Sequence, residues 1–248
     1  MNNYGRLPTF LPSWLKERIE VNVVKLNRFM RQSGSRVSQD ALVLDAGAGE
    51  GRFKSFFSHT RYVGIDLAIG DTEWDYSSLD AISTLEILPF PSNTFDAAVC
   101  TQVLEHVPEP QRVVNEISRV LKPGGTFFLS APQSWHQHQK PHDYYRYTSF
   151  GLRYILEKSG LQVESIQPLG GYFWFLSFQL QNSVYWVFSF RDQKYRWITF
   201  PIRALMAVMF QIIAPLFLYY LDDLDPVKDE TFGHVCVAVK PVGNDISP

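Results

Sequence analysis

The chain has few cysteines, no long run of one charge and no tract of low complexity. Only two cysteines occur among 248 residues, Cys100 and Cys236, and both lie in apolar, strand-like segments. This usage predicts buried thiols in a reducing compartment and argues against a disulfide framework. The net charge is −2 at pH 7 without a long basic segment, so nucleic acid is a poor candidate partner. No charged segment followed by an apolar one opens the chain, so no secretory signal is expected and the predicted location is cytoplasmic.

Apolar material is abundant by contrast. Hydrophobic residues make up 46% of the chain and charged residues 19%, which is ample for a large core. The length suits one α/β domain with an elaboration better than two full domains.

The most informative segment is a glycine-rich turn after an apolar run. Ala41 to Leu44 leads to Asp45, and Gly47, Gly49 and Gly51 follow at alternate positions before a helix-like pattern. Glycine is needed where a backbone takes positive φ or lies against a ligand. The segment predicts a buried strand, a tight turn and a nucleotide-like ligand over the strand's carboxyl end. Glycines that only make a tight turn are the alternative.

Two acidic residues indicate which nucleotide-like ligand fits. The spacing is Gly-x-Gly-x-Gly, which differs from the dinucleotide pattern, and Asp45 would repel a pyrophosphate. A second strand-like run, 62–66, ends in Asp66, where a carboxylate grips ribose hydroxyls. An adenosine that carries a positive charge satisfies these features better than one that carries phosphates.

Further motifs follow in the chain, and with the glycine turn they resemble the class I S-adenosylmethionine-dependent methyltransferases of the type 11 subgroup. Leu-Pro-Phe-Pro-Ser-Asn-Thr-Phe-Asp at 88–96 resembles that family's approach to its fourth strand. Residues 97–107 resemble the fourth strand and its turn, and 116–125 resemble the helix and turn before the fifth strand. The resemblance covers about 40–170 and returns at 234–240.

The expected fold is α/β, with a Rossmann-like, seven-stranded, mostly parallel sheet whose last strand is antiparallel. We predict strands at 41–46, 61–66, 95–101, 126–131, 161–168 and 234–240. The first predicted helix has Ser13 as its cap, runs to about Gln32 and is ended by Gly34. A second follows the glycine turn, from near Arg52 to about Phe57, and two more span 110–121 and 149–158. The predicted organisation is a helical lead (1–40), a methyltransferase domain (41–170 and 231–242) and an apolar helical insertion (171–230).

The resemblance also implies the cofactor contacts. Asp45, Gly47 and Gly49 should line the methionine and ribose part, and Asp66 should bind the ribose diol. Thr101 and Gln102 should form the floor beneath the sulfonium, although an ordinary strand end is the alternative. Many relatives contact the adenine amino group with an Asp that corresponds to Thr84 here. A backbone group or hydroxyl takes that role, or Asp80 or Asp75 is recruited.

The acceptor side is expected in the loop after the fifth strand, 131–148. Open α/β sheets place their sites at such strand ends. The candidate bases are His142, His136 and His106, and the candidate acceptor contacts are Trp135, Tyr144, Tyr145 and Arg146. A structural alternative is that 143–148 fixes the loop to the next helix through an Asp143–Arg146 pair and a Thr148 or Ser149 cap. No metal is predicted, because His136, His138, His142 and Asp143 fit no familiar zinc spacing.

Two long uncharged stretches distinguish the insertion. Residues 165–190 and 204–221 contain no charged side chain and are separated by a short segment with Arg191, Lys194 and Arg196. A lid or homodimer interface, attachment in the plane of a membrane, and a spanning hairpin all remain open. The positive segment and Pro215 oppose the spanning hairpin.

The predicted function is transfer of a methyl group from S-adenosylmethionine to a small or amphiphilic acceptor, at oxygen. Alternatives are a membrane-associated enzyme for a lipid-linked acceptor, located at the inner membrane face, and a catalytically silent interaction protein that still binds the cofactor. A third alternative is the transfer of another group from a compound related to the cofactor, and no residue favours it.

Overall fold

The sheet of this protein has seven strands in the order β3-β2-β1-β4-β5-β7-β6. The computed structural model describes residues 12–70, 73–188 and 196–242, without side chains for 185–188 and 196–199. The strands are β1 Leu42–Ala46, β2 Arg61–Asp66, β3 Ala81–Ile82, β4 Phe95–Thr101, β5 Leu121–Pro132, β6 Gln162–Pro168 and β7 Gly233–Val239. This architecture confirms the predicted α/β class, including the insertion between the last two strands.

Strand direction brings the predicted site residues to one edge. β1 pairs in parallel with β2 and β4, β4 pairs in parallel with β5, and β5 pairs antiparallel with β7. The chain order reverses between β1 and β4, and a crevice forms there outside the carboxyl ends of the strands. Asp45 lies opposite Gly64 on one side and Val99 on the other.

Seven α-helices lie in the described part of the chain. They are α1 Ser13–Ile19, α2 Val21–Arg36, α3 Pro110–Val120, α4 Ser149–Lys158, α5 Tyr172–Phe188, α6 Arg196–Val208 and α7 Ala214–Leu221. A π-helical turn, Met209–Ile213, joins α6 to α7. The sheet and helices α3 and α4 enclose the core, which includes Ile117, Phe127, Leu129 and Leu152, together with both free cysteines.

The predicted first helix is wrong in three details. It is two helices that break at Glu20, and Pro12, with no capping side chain, occupies the cap position instead of Ser13. Gly34 lies inside α2, not after it. A Cβ at Gly34 would lie 2.2 Å from the carbonyl oxygen of Phe56, so this glycine permits close approach of a loop.

The predicted helix after the glycine turn is also wrong, because only a short 3₁₀ turn, Lys54–Phe57, forms there. Gly49 and Gly51 both have positive φ, at 54° and 70°. The backbone conformation of the turn therefore extends to residue 51 and leaves little chain for an α-helix.

The chain forms two compact units. One comprises residues 1–25 and 168–232, and the other comprises 26–167 and 233–248. The division differs from the predicted one in the lead, because α1 belongs with the helices of the insertion. Arg18 of α1 donates to Tyr220 Oη at 2.8 Å, and its guanidinium lies over the ring of Tyr219. The charged segment 191–195 lies outside the described residues.

Candidate active site

The glycine turn is held open by backbone conformation and by a close neighbour. Gly47 has φ 90°, and a Cβ there would lie 2.3 Å from Cγ2 of Val103, which follows β4. The N–H groups of Gly47 and Ala48 donate to the carbonyl of Ile65. Any side chain at 47 would push apart the turns after β1 and β4, where a ligand is expected.

Asp66 lies at the end of β2 with its carboxylate fixed by backbone donors. Oδ2 accepts from the N–H of Gly49 at 3.0 Å, and Oδ1 accepts from that of Ala68 at 2.8 Å. A carboxylate has about four acceptor positions, so two hydroxyls of a ribose can still bind. The ribose contact of Asp66 stays a prediction, and this geometry leaves room for it.

Asp45 is buried and shares a short hydrogen bond with Tyr62, whose hydroxyl donates to Oδ2. Burial raises the pKa of Asp45 to about 7, the Tyr62 bond lowers it, and the charge of Asp66 raises it. Nothing in the sequence singles out Tyr62, because a tyrosine is an ordinary residue in a strand-like run.

Thr101 and Gln102 mark the end of β4. Thr101 is buried, and its Oγ1 lies 3.6 Å from Sδ of Met30 in α2. Gln102 has φ 55°, a conformation that non-glycine residues seldom adopt and that often occurs at functional sites. Its N–H donates to the Ser130 carbonyl and its Nε2 donates to Ser130 Oγ. Strained backbone therefore exists where the sulfonium floor was predicted.

Two aromatic rings that the sequence did not indicate lie close to the glycine turn. Trp74 lies 3.3 Å from where a Cβ of Gly49 would be, and its ring centroid is 6.0 Å from that of Tyr76. The acids that were considered for adenine have other contacts: Asp80 accepts from Gly64 N–H, and Asp75 from Ser77 N–H. Thr84 Oγ1 accepts from Glu86 N–H.

The acceptor loop is held by Arg146. Its guanidinium makes a two-pronged pair with Asp143, at 2.6 and 2.9 Å, and donates to the carbonyls of Trp135 and His136. Burial raises the pKa of Asp143, but the pair with Arg146 and the bond from the His138 N–H outweigh it and lower the pKa to about 2. Thr148 caps α4 by accepting from Gly151 N–H. Arg146 thus fixes the loop through its pair with Asp143, as the structural alternative expects. Its contact with an acceptor stays a prediction.

The tyrosines of the loop have different environments. Tyr147 is buried and donates to the carbonyl of Leu104, whereas Tyr145 donates to that of Pro108. Tyr144 is exposed, with its hydroxyl 3.2 Å from Nδ1 of His142. His136 stacks on Trp135 at a centroid distance of 5.4 Å, and burial lowers its pKa.

His106 belongs to a separate cluster with His138 and Glu105. Its Nδ1 lies 2.6 Å from the carbonyl oxygen of His142, and its Nε2 lies 3.1 Å from Nε2 of His138. Glu105 is fully buried and its carboxylate has no hydrogen-bond partner among the described residues. Burial raises the pKa of Glu105 to about 8. The sequence indicated His138 only within a different set of residues, with His136, His142 and Asp143, and it did not indicate Glu105.

Comparison with known proteins identifies the class. Residues 44–129 match the family model Methyltransf_11, which describes a methyltransferase domain. The ubiquinone biosynthesis O-methyltransferase of Shewanella halifaxensis is 29% identical over 121 residues, 44% of this chain and 50% of that protein. An uncharacterized methyltransferase of Mycobacterium leprae is 33% identical over 97 residues, 36% of each chain. The match spans about half the length of the first of these relatives.

Solved structures agree at the level of the fold. The [4+2]-cyclase SpnF matches with a TM-score of 0.56 and 18% identity over 88% of this chain and 82% of that one. Phosphoethanolamine N-methyltransferase 2 of Haemonchus contortus, in complex with S-adenosyl-L-methionine, matches with a TM-score of 0.53 and 15% identity. The match covers 95% of this chain and 61% of that one. One fold hosts different reactions in these neighbours, so the reaction must be argued from the site.

Together, the strand order, the glycine turn and the matched segment define a class I methyltransferase fold. Residues 44–129 resemble the methyltransferase domains of the type 11 family, within the fold of the class I S-adenosylmethionine-dependent methyltransferases.

Proposed function

We propose that this protein transfers the methyl group of S-adenosylmethionine to an oxygen of a small or amphiphilic acceptor. The observation that carries the proposal is the convergence of the glycine turn, Asp66 and Gln102 at the carboxyl ends of β1, β2 and β4. The resemblance to ubiquinone O-methyltransferases favours oxygen as the acceptor atom.

The residues present fit this cofactor. Asp66 would bind the ribose hydroxyls, while Asp45, Gly47 and Gly49 would line the ribose and methionine. Thr101 and Gln102 would lie beneath the sulfonium, whose methyl group is the chemistry that the cofactor supplies.

The acceptor loop would orient the nucleophile and remove its proton. Alignment of the two reactants for in-line displacement supplies about 7–11 kcal/mol of the barrier. A positioned base adds roughly 10²–10⁴-fold. Among the candidates, His142 is favoured, because its Nδ1 contacts the Tyr144 hydroxyl at the exposed side of the loop. Trp135, Tyr145 and His136 would line the same space.

Calorimetric titration with S-adenosylmethionine tests cofactor binding. Asp66→Ala and Gly47→Val should abolish it. Asp96→Ala removes a carboxylate at the opposite end of the sheet, where it pairs with Lys122, and should leave binding intact. Gly160→Val controls for backbone strain, because Gly160 has φ 77° but open space around its Cβ position. Unchanged affinity in both site variants would refute the cofactor assignment.

A methyl-transfer assay over phenolic, quinol, sugar and lipid acceptors tests the reaction. His142→Ala should reduce turnover about 10²-fold or more without changing cofactor affinity. His59→Ala, a histidine that contacts the Val37 carbonyl on the surface, is the control. Wild-type turnover in His142→Ala would exclude this residue as the base. Cofactor binding without transfer to any acceptor would favour a silent interaction protein.

We also propose that the protein attaches to a membrane surface through its insertion. The continuous helical segment Phe200–Leu224 has 25 residues with a mean hydropathy of 2.0, long and apolar enough to cross a membrane by length and composition alone. Only 11% of its most apolar window is buried, whereas a lid would be covered. A surface location would suit an amphiphilic acceptor.

A further inference from the structure

Three side chains with nitrogen or oxygen atoms that could ligate a metal ion converge between the loops that follow β4 and β5. Glu105 and His106 lie in the turn after β4, and His138 lies in the loop after β5. One possible ligand atom from each side chain lies within 4.8 Å of the other two. Nε2 of His106 is 3.1 Å from Nε2 of His138 and 3.7 Å from Oε1 of Glu105.

The backbone fixes which nitrogens of the two rings carry hydrogen. Nδ1 of His106 contacts the carbonyl oxygen of His142 at 2.6 Å, and Nδ1 of His138 contacts that of His136 at 3.1 Å. A carbonyl oxygen only accepts, so each Nδ1 must donate. In the neutral rings, both Nε2 atoms then present lone pairs to each other across 3.1 Å. This arrangement, with Nδ1–H bound to a carbonyl and Nε2 turned inward, is typical of metal-ligating histidines.

Glu105 supplies a carboxyl group as the third ligand. Its side chain is fully buried, and both carboxylate oxygens have no hydrogen-bond partner in the described chain. The nearby Arg146 forms its pair with Asp143 and so does not bind Glu105. Burial of a carboxylate without a partner costs several kcal/mol, and coordination to a cation would offset that cost.

We propose that Glu105, His106 and His138 bind a divalent transition-metal ion, with Zn²⁺ as the best match. Two imidazoles and one carboxylate form a known ligand set for zinc. Ligand bonds of about 2.0–2.2 Å in a tetrahedral site place the ligand atoms roughly 3.3–3.5 Å apart. The 3.1 and 3.7 Å separations bracket this value.

This ligand set differs from His136, His138, His142 and Asp143, whose spacing fits no familiar zinc pattern. Only His138 is common to both, and the other ligands come from the turn after β4. Three protein ligands leave a fourth position for water or an oxygen-bearing ligand, as in catalytic zinc sites. If the proposed O-methylation holds, an acceptor oxygen is a natural fourth ligand.

Metal binding to the full chain, without cofactor, tests the proposal. Protein that has been dialysed against a chelator and then freed of it is titrated with Co²⁺, followed by visible absorption, and Zn²⁺ is added as a competitor. We expect about one Co²⁺ per chain, with a d–d band typical of tetrahedral coordination, and displacement by Zn²⁺. His138→Ala and Glu105→Gln should each weaken Co²⁺ binding at least about tenfold. His59→Ala should bind like the wild type.

Failure of wild-type protein to bind Co²⁺ or Zn²⁺ would overturn the proposal, and so would wild-type affinity in His138→Ala. His138 is partly exposed, so its variant should fold even if Glu105→Gln does not, which circular dichroism would establish. S-adenosylmethionine binding is titrated separately in the presence of chelator. A failed metal titration therefore leaves the cofactor result intact, and the converse also holds.

Discussion

Asp45 shows how the position of a single residue changes its chemistry. An exposed aspartate is ionised at neutral pH, but the carboxyl of Asp45 is buried at the end of β1 beside a second acid, Asp66. Burial is the larger cause of its raised pKa, about 7, and the hydroxyl of Tyr62 opposes the shift. The charge of this group therefore changes near physiological pH, at the place where a cationic cofactor is proposed to bind.

We expect S-adenosylmethionine affinity to rise with pH between about pH 6 and about pH 8, by on the order of tenfold. A raised pKa means that Asp45 is mostly protonated below 7, and only its ionised form attracts the sulfonium. Tyr62→Phe removes the bond that lowers the pKa, so the rise should move to higher pH. Calorimetry across this range measures both effects.

The control for this pH dependence is Asp45→Asn, which keeps the shape but cannot ionise. It should bind the cofactor weakly and lose the rise with pH. Asp66 lies near Asp45 and Asp80 lies near Tyr62, and both acids are unchanged in this variant. If Asp45→Asn keeps the full pH dependence, another group is responsible.

Among the elements, the acceptor loop depends on one side chain for its shape. Arg146 bonds Asp143 and two loop carbonyls, which joins both ends of the segment 135–146. We expect Arg146→Lys to speed hydrogen exchange across 135–143, since a lysine cannot form the two-pronged pair and the carbonyl bonds together. Mass spectrometry resolves this segment.

Arg153→Lys is the matched control, because Arg153 makes an exposed pair with Glu157 within α4. Its exchange in 135–143 should equal that of the wild type. Unchanged exchange in Arg146→Lys would show that other contacts fix the loop.

The start of α5 depends on a buried acid from the end of the insertion. Asp222 accepts from the N–H groups of Gly171 and Trp174 and pairs with Lys228 Nζ at 2.7 Å. We expect Asp222→Ala to reduce the free energy of unfolding by about 3 kcal/mol, because it leaves a cation and two donors without their acceptor. Denaturant titration measures the loss. The neighbouring Asp223 is exposed, and Asp223→Ala should change stability by less than about 0.5 kcal/mol.

Elements with a strong pattern were predictable from the sequence, whereas pairings between loops were not. The limits of β4 and α4 agree with prediction, because apolar runs and a capping threonine define them. The prediction that Gly34 ends a helix was wrong, because this glycine lies inside α2 and permits the close approach of Phe56, a residue far along the chain. The cluster of Glu105 with His138 was likewise invisible, because two different loops bring its ligands together.

At the scale of the whole molecule, the methyltransferase unit and the helical unit have different surfaces. The methyltransferase unit, residues 26–167 and 233–248, buries its apolar side chains around the sheet. The helical unit, residues 1–25 and 168–232, exposes many along Phe200–Leu224, where they recur every three to five residues: Phe200, Leu205, Met209, Ile213, Phe217, Tyr220 and Leu224. A contiguous apolar stripe of this kind marks contact with a membrane or with another protein.

We therefore expect the full chain to float with phospholipid vesicles in a density gradient. The exposed stripe would enter the interface between headgroups and acyl chains, where burial of apolar surface contributes about 25 cal/mol per Å². The double variant Leu205→Ser/Phe217→Ser should lose most of this flotation, since both side chains are more than 60% exposed. Phe150→Ser, at an exposed position of α4, should float like the wild type, because it lies outside the stripe. A protein that stays at the bottom of the gradient, and that light scattering shows to be a uniform dimer, would instead assign the stripe to contact between two copies of the chain.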